Sequence, residues 1–268
     1  MRNDMKQAVI FGAGNVGRGF IGQLYSQSGY EVTFVDVDEA LIDTLQERGS
    51  YTIQLVDNDN AEQVMVSPVR ALNSARQKDA AAQALAKASL AATAVGARIL
   101  PLIAPVVAAG IQMRRLSSSS ASAAQEPLNL IICENLKDAA ATFRTMVEEH
   151  LSNPDRAYAR EHVGFVDTVI GRMVPPPTPE MRAQDPSLIL VEPYRELPVD
   201  RHAFIGQIPS IPGMEPCDNF PAYTARKLYI HNCGHAVLAY LGYLRGYQFG
   251  YEALVDPKIR AVLEKALA

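Results

Sequence analysis

Tryptophan is absent from the 268 residues, and only three cysteines are present. Cys133, Cys217 and Cys233 form no CxxC pair, and so odd and sparse a set suits a reducing cytosol better than a disulfide framework. There is no strongly basic block, and the net charge of -4 argues against a nucleic-acid partner. A long unbroken apolar run is missing too. The longest, Ala88 to Ile111, contains Arg98, Pro101 and Pro105, whereas a membrane span needs about 20 residues without such breaks. At the start, Met1 to Lys6 is polar and the apolar run Ala8 to Phe11 is too short for the core of a signal peptide. These absences lead to the expectation of a cytoplasmic protein with no membrane or nucleic-acid partner.

The composition present is that of a globular enzyme. With 48% hydrophobic and 20% charged residues the chain is no disordered polymer, and its length allows one large or two medium domains. No internal repeat is visible. Gln7 to Phe11 reads as a buried parallel strand, followed by a glycine-rich turn and a helix from about 15 to 28, ended by Gly29. Glu31 to Val35 reads as a second strand ending at Asp36, and 39–48 as a helix stopped by Gly49. Strand, helix, strand, helix at this spacing predicts an α/β fold, a Rossmann-type doubly wound parallel sheet. Further along, 79–92 reads as an alanine-rich helix leading into a strand end at Thr93, and 99–113 as another helix. The stretch 116–125 reads as a low-complexity loop and Leu128 to Cys133 as a buried strand. Between Val174 and Pro221 stand 11 of the 17 prolines, which favours short strands and turns; from Thr224 the pattern is helical to the end. The expected domains are 1–200, a Rossmann domain binding NAD, and 201–268, the start of an all-helical substrate or catalytic domain.

Gly12-Ala-Gly-Asn-Val-Gly17 fits GxGxxG, a weak pattern alone. Here it follows a strand, opens a helix, and has Asp36 19 positions after Gly17 at the end of the next strand, the context that gives the pattern meaning. Gly12 permits the tight turn, Gly14 lets a pyrophosphate approach the backbone, and Gly17 allows close helix–strand packing. The helix N-terminus offers free N–H groups to phosphates. Asp36 can accept both adenosine ribose hydroxyls and would repel a 2′-phosphate, so NAD is expected over NADP. The cofactor-binding candidates are Gly12, Ala13, Gly14, Asn15, Val16, Gly17 and Asp36, with Ala94, Val95 and Gly96 in the turn after the later strand. A glycine-rich turn of purely structural origin is the alternative.

A second constellation lies near the end. At about 100° per residue from Lys227, His231 falls near 40°, His235 near 80° and Asn232 near 140°. Four polar groups therefore share less than half of a helix whose other positions include Leu228, Ile230, Val237, Leu238 and Leu241. Such a helix is expected to be buried on most sides, its polar face lining a cleft. The alternative is an ordinary amphipathic helix with a solvated lysine. Lys227 is the candidate general base, since burial can lower a lysine pKa toward neutrality. Asn135, just past the carboxyl end of a predicted central strand, lies where catalysis is expected in such sheets. His231 and His235 have zinc-like i, i+4 spacing, but the glutamate of HExxH is replaced by Asn232; no metal is expected.

Several segments share a family likeness: Phe11-Gly-Ala-Gly-Asn-Val-Gly-Arg-Gly-Phe-Ile-Gly22, Cys133-Glu-Asn-Leu136, Gly164-Phe-Val-Asp167 and Val191-Glu-Pro-Tyr194. The most specific is Lys227-Leu-Tyr-Ile-His-Asn-Cys-Gly-His-Ala236, followed by Ala239-Tyr-Leu-Gly-Tyr-Leu244. In these the chain resembles the polyol-specific long-chain dehydrogenases, in particular those acting on mannitol 1-phosphate. The resemblance implies metal-free, NAD-dependent interconversion of mannitol 1-phosphate and fructose 6-phosphate. It implies Lys227 as base, Asn232 and Asn135 as amide donors to the substrate oxygen, and His235 on a neighbouring hydroxyl or on the lysine. A related polyol or sugar-acid dehydrogenase of the fructuronate or tagaturonate type, and a catalytically weakened NAD-binding module, are the alternatives. The partner is then a small polyol or sugar phosphate, with Arg172, Arg195 and Arg226 as phosphate-binding options.

Two departures stand out. Where those enzymes read Val-Asp-Arg, this chain reads Ile170-Gly171-Arg172. It also ends at Ala268, whereas those enzymes continue through the helical domain. Few residues then remain to cover the apolar sides of the helix around Thr224 to Leu244, so an exposed apolar patch is expected there, with self-association through it as a consequence.

Overall fold

A computed structural model describes residues 5–56, 61–118, 126–175 and 177–268. The chain divides into two compact units, Met1–Asp218 and Asn219–Ala268.

The first unit is built on β1 (Gln7–Phe11), β2 (Glu31–Asp36), β5 (Val69–Asn73), β6 (Leu90–Thr93), β7 (Leu128–Ile132) and β8 (Val163–Asp167). All neighbours pair in parallel, in the order β5-β2-β1-β6-β7-β8. The chain thus starts in the middle, winds outward, and returns to wind the other way. This is the doubly wound Rossmann arrangement, with its switch point between β1 and β6. Alternate residues of the strands enter two separate cores, one per face: Ala8, Ile10, Val32 and Phe34 in one, Val9, Phe11, Val35 and Leu130 in the other. Burial on both faces is why these strands read as continuous apolar runs.

A helix follows the glycine turn, its segment Gly17–Gly22 wound as a π turn and continuing as α1 (Gln23–Gln27). Helices α2 (Glu39–Arg48), α3 (Lys78–Lys87), α4 (Leu100–Ser118), α5 (Ala139–Glu148) and α6 (Asn153–His162) complete the layers. A small sheet of β4 (Ala61–Val66), β3 (Tyr51–Val56) and β9 (Ile189–Val191) stands apart, as does the parallel pair β10 (Leu197–Asp200) and β11 (Met214–Cys217). The short α7 (Pro179–Gln184) precedes β9 in the chain. Because β11 pairs with β10, residues 201–217 belong to this unit.

Two expectations need correction. The predicted helix over 79–92 ends at Lys87; Ala88 is extended, and Leu90–Thr93 form β6 between β1 and β7. Strand pairing on both sides overrides the helix preference of the alanines. The predicted loop at 116–125 begins later, since α4 continues through Ser118; the rest of that stretch lies outside the described residues.

The second unit is helical: α8 (Phe220–Arg226), a π turn over Lys227–Asn232, α9 (Cys233–Leu244), α10 (Gly250–Val255) and α11 (Pro257–Leu267). Gly234 lets α9 meet Leu263 and Leu267 of α11, and Gly242 lets it meet Ala253 of α10.

Candidate functional site

The fingerprint turn sits at the carboxyl end of β1. Gly12 has φ +99°, and a Cβ there would stand 2.3 Å from the Ala94 carbonyl oxygen. A Cβ on Gly17 would lie 2.0 Å from the Gly12 oxygen, so only glycine permits this approach of helix to strand. Gly14 differs: its Cβ would meet nothing within 4 Å. Gly14 and Asn15 are exposed, and Val16 is half-buried. An open glycine at the start of a helix, between two glycines that are sterically required, fits the approach of a pyrophosphate.

The turn is held at the Ala13 peptide. Its N–H donates to Asp36 Oδ2 at 2.6 Å, and its carbonyl accepts from Arg18 Nε at 2.5 Å. Arg18 is buried, donates also to the Ser187 carbonyl, and has its pKa lowered by burial. Asp36, at the end of β2, accepts through Oδ1 from the amides of Val37 at 2.7 Å and Asp38 at 3.1 Å. Sequence reasoning found Asp36 and missed Arg18, because a guanidinium bonded to backbone carbonyls leaves no residue pattern.

Across the switch point, Ala94 donates to the Phe11 carbonyl at 2.7 Å, which sets the turn Ala94–Gly96 beside the fingerprint. Asn135 is exposed just past β7. Its neighbour Glu134, also missed, is buried and receives the amides of Val95 and Gly96. At the end of β8, Asp167 accepts from the amide of Ala140 at 2.8 Å; burial raises its pKa, partly offset by that bond.

Lys227, Asn232 and His235 lie in the second unit. The π turn changes their expected arrangement, because i→i+5 bonding advances roughly 80° per residue. At that pitch Asn232 lies about 40° from Lys227, and His235, reached after a further α-helical stretch, lies about 20° from it. The π turn thus gathers on one face the groups that a regular helix would spread apart. Lys227 is half-buried, and burial lowers its pKa. The His231 and His235 rings lie 4.5 Å apart, and burial, then Lys227 and His235, lower the His231 pKa. The helix is not buried on most sides, as had been expected. Only Gly234 and Gly242 of α9 are buried, while Tyr229, Ile230, Tyr240, Tyr243 and Leu244 are exposed. Within the unit, α10 and α11 are the helices packed most extensively on α9.

The arginines considered for a phosphate separate clearly. Arg172 is buried, donating to the carbonyls of Glu192 and Gly19 and to Gln23 Oε1, and its pKa is pushed down to about 10, chiefly by burial. It braces the fold. Arg195 and Arg226 are exposed, the latter over the Tyr223 ring. Gly171 lies against Tyr194, whose ring would be 3.0 Å from a Cβ. Among the described residues no three His, Cys, Asp or Glu side chains are grouped to hold a metal, and no helix is long and apolar enough to cross a membrane.

Residues 6–213 match the family described as mannitol dehydrogenase Rossmann domain, and 219–268 the mannitol dehydrogenase C-terminal domain. The chain belongs to the mannitol dehydrogenase family. It is 42% identical over 261 residues to mannitol-1-phosphate 5-dehydrogenase of Geobacillus thermodenitrificans (strain NG80-2), covering 97% of this chain and 65% of that relative. It therefore spans just under two thirds of the length of that curated relative. Its fold is that of Pseudomonas fluorescens mannitol 2-dehydrogenase, solved as a ternary complex with NAD and D-mannitol (TM-score 0.77, 18% identity, 97% of this chain and 63% of that one). A D-sorbitol dehydrogenase in substrate-free form is similar to the same degree (TM-score 0.79, 14% identity, 96% and 63%).

Proposed function

We propose that this mannitol dehydrogenase family chain takes part in NAD-dependent interconversion of mannitol 1-phosphate and fructose 6-phosphate. The observation that carries the reading is the 42% identity to a mannitol-1-phosphate 5-dehydrogenase along 97% of this chain, through both the fingerprint and the Lys227 helix. The first unit supplies the nucleotide site: Gly12 to Gly17 for the pyrophosphate, Asp36 for the adenosine ribose, and Ala94, Val95 and Gly96 across the switch point. When bound, NAD supplies the hydride acceptor. Lys227 Nζ takes the hydroxyl proton of the substrate, a role favoured by its lowered pKa. Asn232 offers an amide N–H to the oxygen as charge develops on it, Asn135 carries the same chemistry on the first unit, and His235 orients the lysine or a neighbouring hydroxyl. We further propose that the chain self-associates through the exposed apolar face of its second unit.

A screen of cofactor reduction over polyols and polyol phosphates, with NAD and with NADP, tests the reading; turnover confined to mannitol 1-phosphate with NAD is expected. Turnover confined to another polyol or to a sugar acid would reassign the substrate. Gly171, standing where an acidic residue was expected, favours the second reading of a weakened NAD-binding module. NAD binding without turnover on any of these compounds would select it. Chelators are expected to leave activity unchanged.

A further inference from the structure

Glu134 is 7% exposed and stands one residue before Asn135. Its two carboxylate oxygens are both engaged by consecutive backbone amides 38 and 39 residues away: Oε1 by Val95 at 3.0 Å and Oε2 by Gly96 at 2.8 Å. Two successive N–H groups aimed at one point form a small anion-binding concavity, and here an internal carboxylate fills it. Gly96, at φ +88°, supplies the backbone bend that turns both amides the same way. The clamped turn is a wall of the fingerprint itself, since a Cβ on Gly12 would meet the Ala94 oxygen at 2.3 Å and Val95 Cγ1 at 3.2 Å.

The sheet order gives this wall a direction. Asp36 ends β2 on one side of β1, whereas the clamped turn and Asn135 follow β6 and β7 on the other. With the adenosine ribose at Asp36 and the pyrophosphate over Gly12 to Gly17, the rest of the dinucleotide extends across the Val95–Gly96 turn. We propose that Glu134 is a positioning residue for the nicotinamide half of the cofactor, fixing the Val95–Gly96 turn and joining it to Asn135 through one peptide. This inference rests on the proposed NAD reading.

The test uses Glu134→Gln, which keeps the shape but removes the charge and sets an amide N–H₂ against one of the two donors, Val95 and Gly96, with Glu134→Asp as a second variant that keeps the charge on a shorter arm. Hydrogen exchange is measured at individual amides, and dissociation constants are measured for NAD and for AMP. In Glu134→Gln, exchange at Val95 and Gly96 should quicken while Ala94, bonded to Phe11, stays protected. Affinity for NAD should fall about tenfold, the scale of losing hydrogen bonds to a charged group, with AMP affinity unchanged. Glu134→Asp should show the same changes in smaller measure. Unaltered exchange at both amides would overturn the clamp. Quickened exchange with undiminished NAD affinity, or an equal loss for AMP and NAD, would overturn the positioning role. Failure of the wild-type chain to bind either nucleotide would show the NAD reading itself to be wrong, while the exchange data would still judge the clamp.

Discussion

Asp36 Oδ2 accepts the amide of Ala13 at 2.6 Å, so the last residue of β2 holds the fingerprint turn of β1. The same carboxylate is the group proposed to hold the adenosine ribose, and there its charge would oppose a 2′-phosphate. NAD is therefore expected to bind more tightly than NADP. Asp36→Ala should narrow that gap and also weaken NAD, because the Ala13 amide loses its acceptor. Titrations of both nucleotides against both proteins measure this; equal affinities in the intact chain would count against the assignment.

Gly14 and Gly17 predict opposite outcomes for the same substitution. Gly17→Ala places a methyl 2.0 Å from a backbone oxygen, which can be relieved only by moving the helix off β1. A drop in Tm is expected, of a size that corresponds to about 1–3 kcal/mol of overpacking. Gly14→Ala points into open space and should leave Tm within the range of a surface change, about 0.5 kcal/mol. It should nevertheless weaken NAD, because the added methyl stands where the pyrophosphate approaches. A Gly14→Ala protein with wild-type NAD affinity would place the phosphates elsewhere.

The central strands and the fingerprint were legible because burial on both faces writes continuous apolar runs, as at Gln7–Phe11 and Leu128–Ile132. The β6 boundary was not, since Leu90-Ala-Ala-Thr93 is small and alanine-rich, and only its place between β1 and β7 makes it a strand. The same limit hid Arg18 and Glu134, whose partners are backbone groups rather than side chains. Lys227, Asn232 and His235 were singled out by their spacing on one helix, and their proposed roles come from the resemblance. Their closer alignment depends on a π turn that a 100° wheel cannot represent.

Lys227→Ala should abolish turnover and leave NAD binding unchanged, because the lysine belongs to the second unit and the fingerprint to the first. Burial lowers the Lys227 pKa below the ordinary 10.5. Alcohol oxidation needs the neutral amine, so its rate should rise with pH through that lowered value; carbonyl reduction needs the ammonium and should fall. For stability the sign is the same as for oxidation. The unfolded chain binds more protons in the window between the lowered and ordinary values, so stability rises with pH there, and Lys227→Met should remove that slope. Asn135→Ala and Asn232→Ala should each lower kcat by about 10²-fold, the effect of losing one oxyanion donor. A pH profile unchanged by Lys227→Ala would remove the lysine from the mechanism.

The apolar face of the second unit sets the last expectation. Tyr240, Tyr243 and Leu244, spaced i, i+3 and i+4 on α9, are 75%, 82% and 78% exposed, and Tyr229 and Ile230 of the preceding π turn are exposed as well. A charged partner would leave its own groups unpaired against such a surface, whereas a second copy brings the same uncharged side chains. In a two-fold pair each residue would meet the matching patch, the commonest closed arrangement of identical chains. The proposed self-association should therefore appear as a mass that rises with concentration, read by size exclusion with light scattering. Tyr243→Glu with Leu244→Glu should return the chain to a monomer. Tm should hold, since both side chains stand outside the core formed by Ala253, Ile259 and Leu263. A monomer at every concentration, or a mass unaffected by the double substitution, would show that this face does not join two copies.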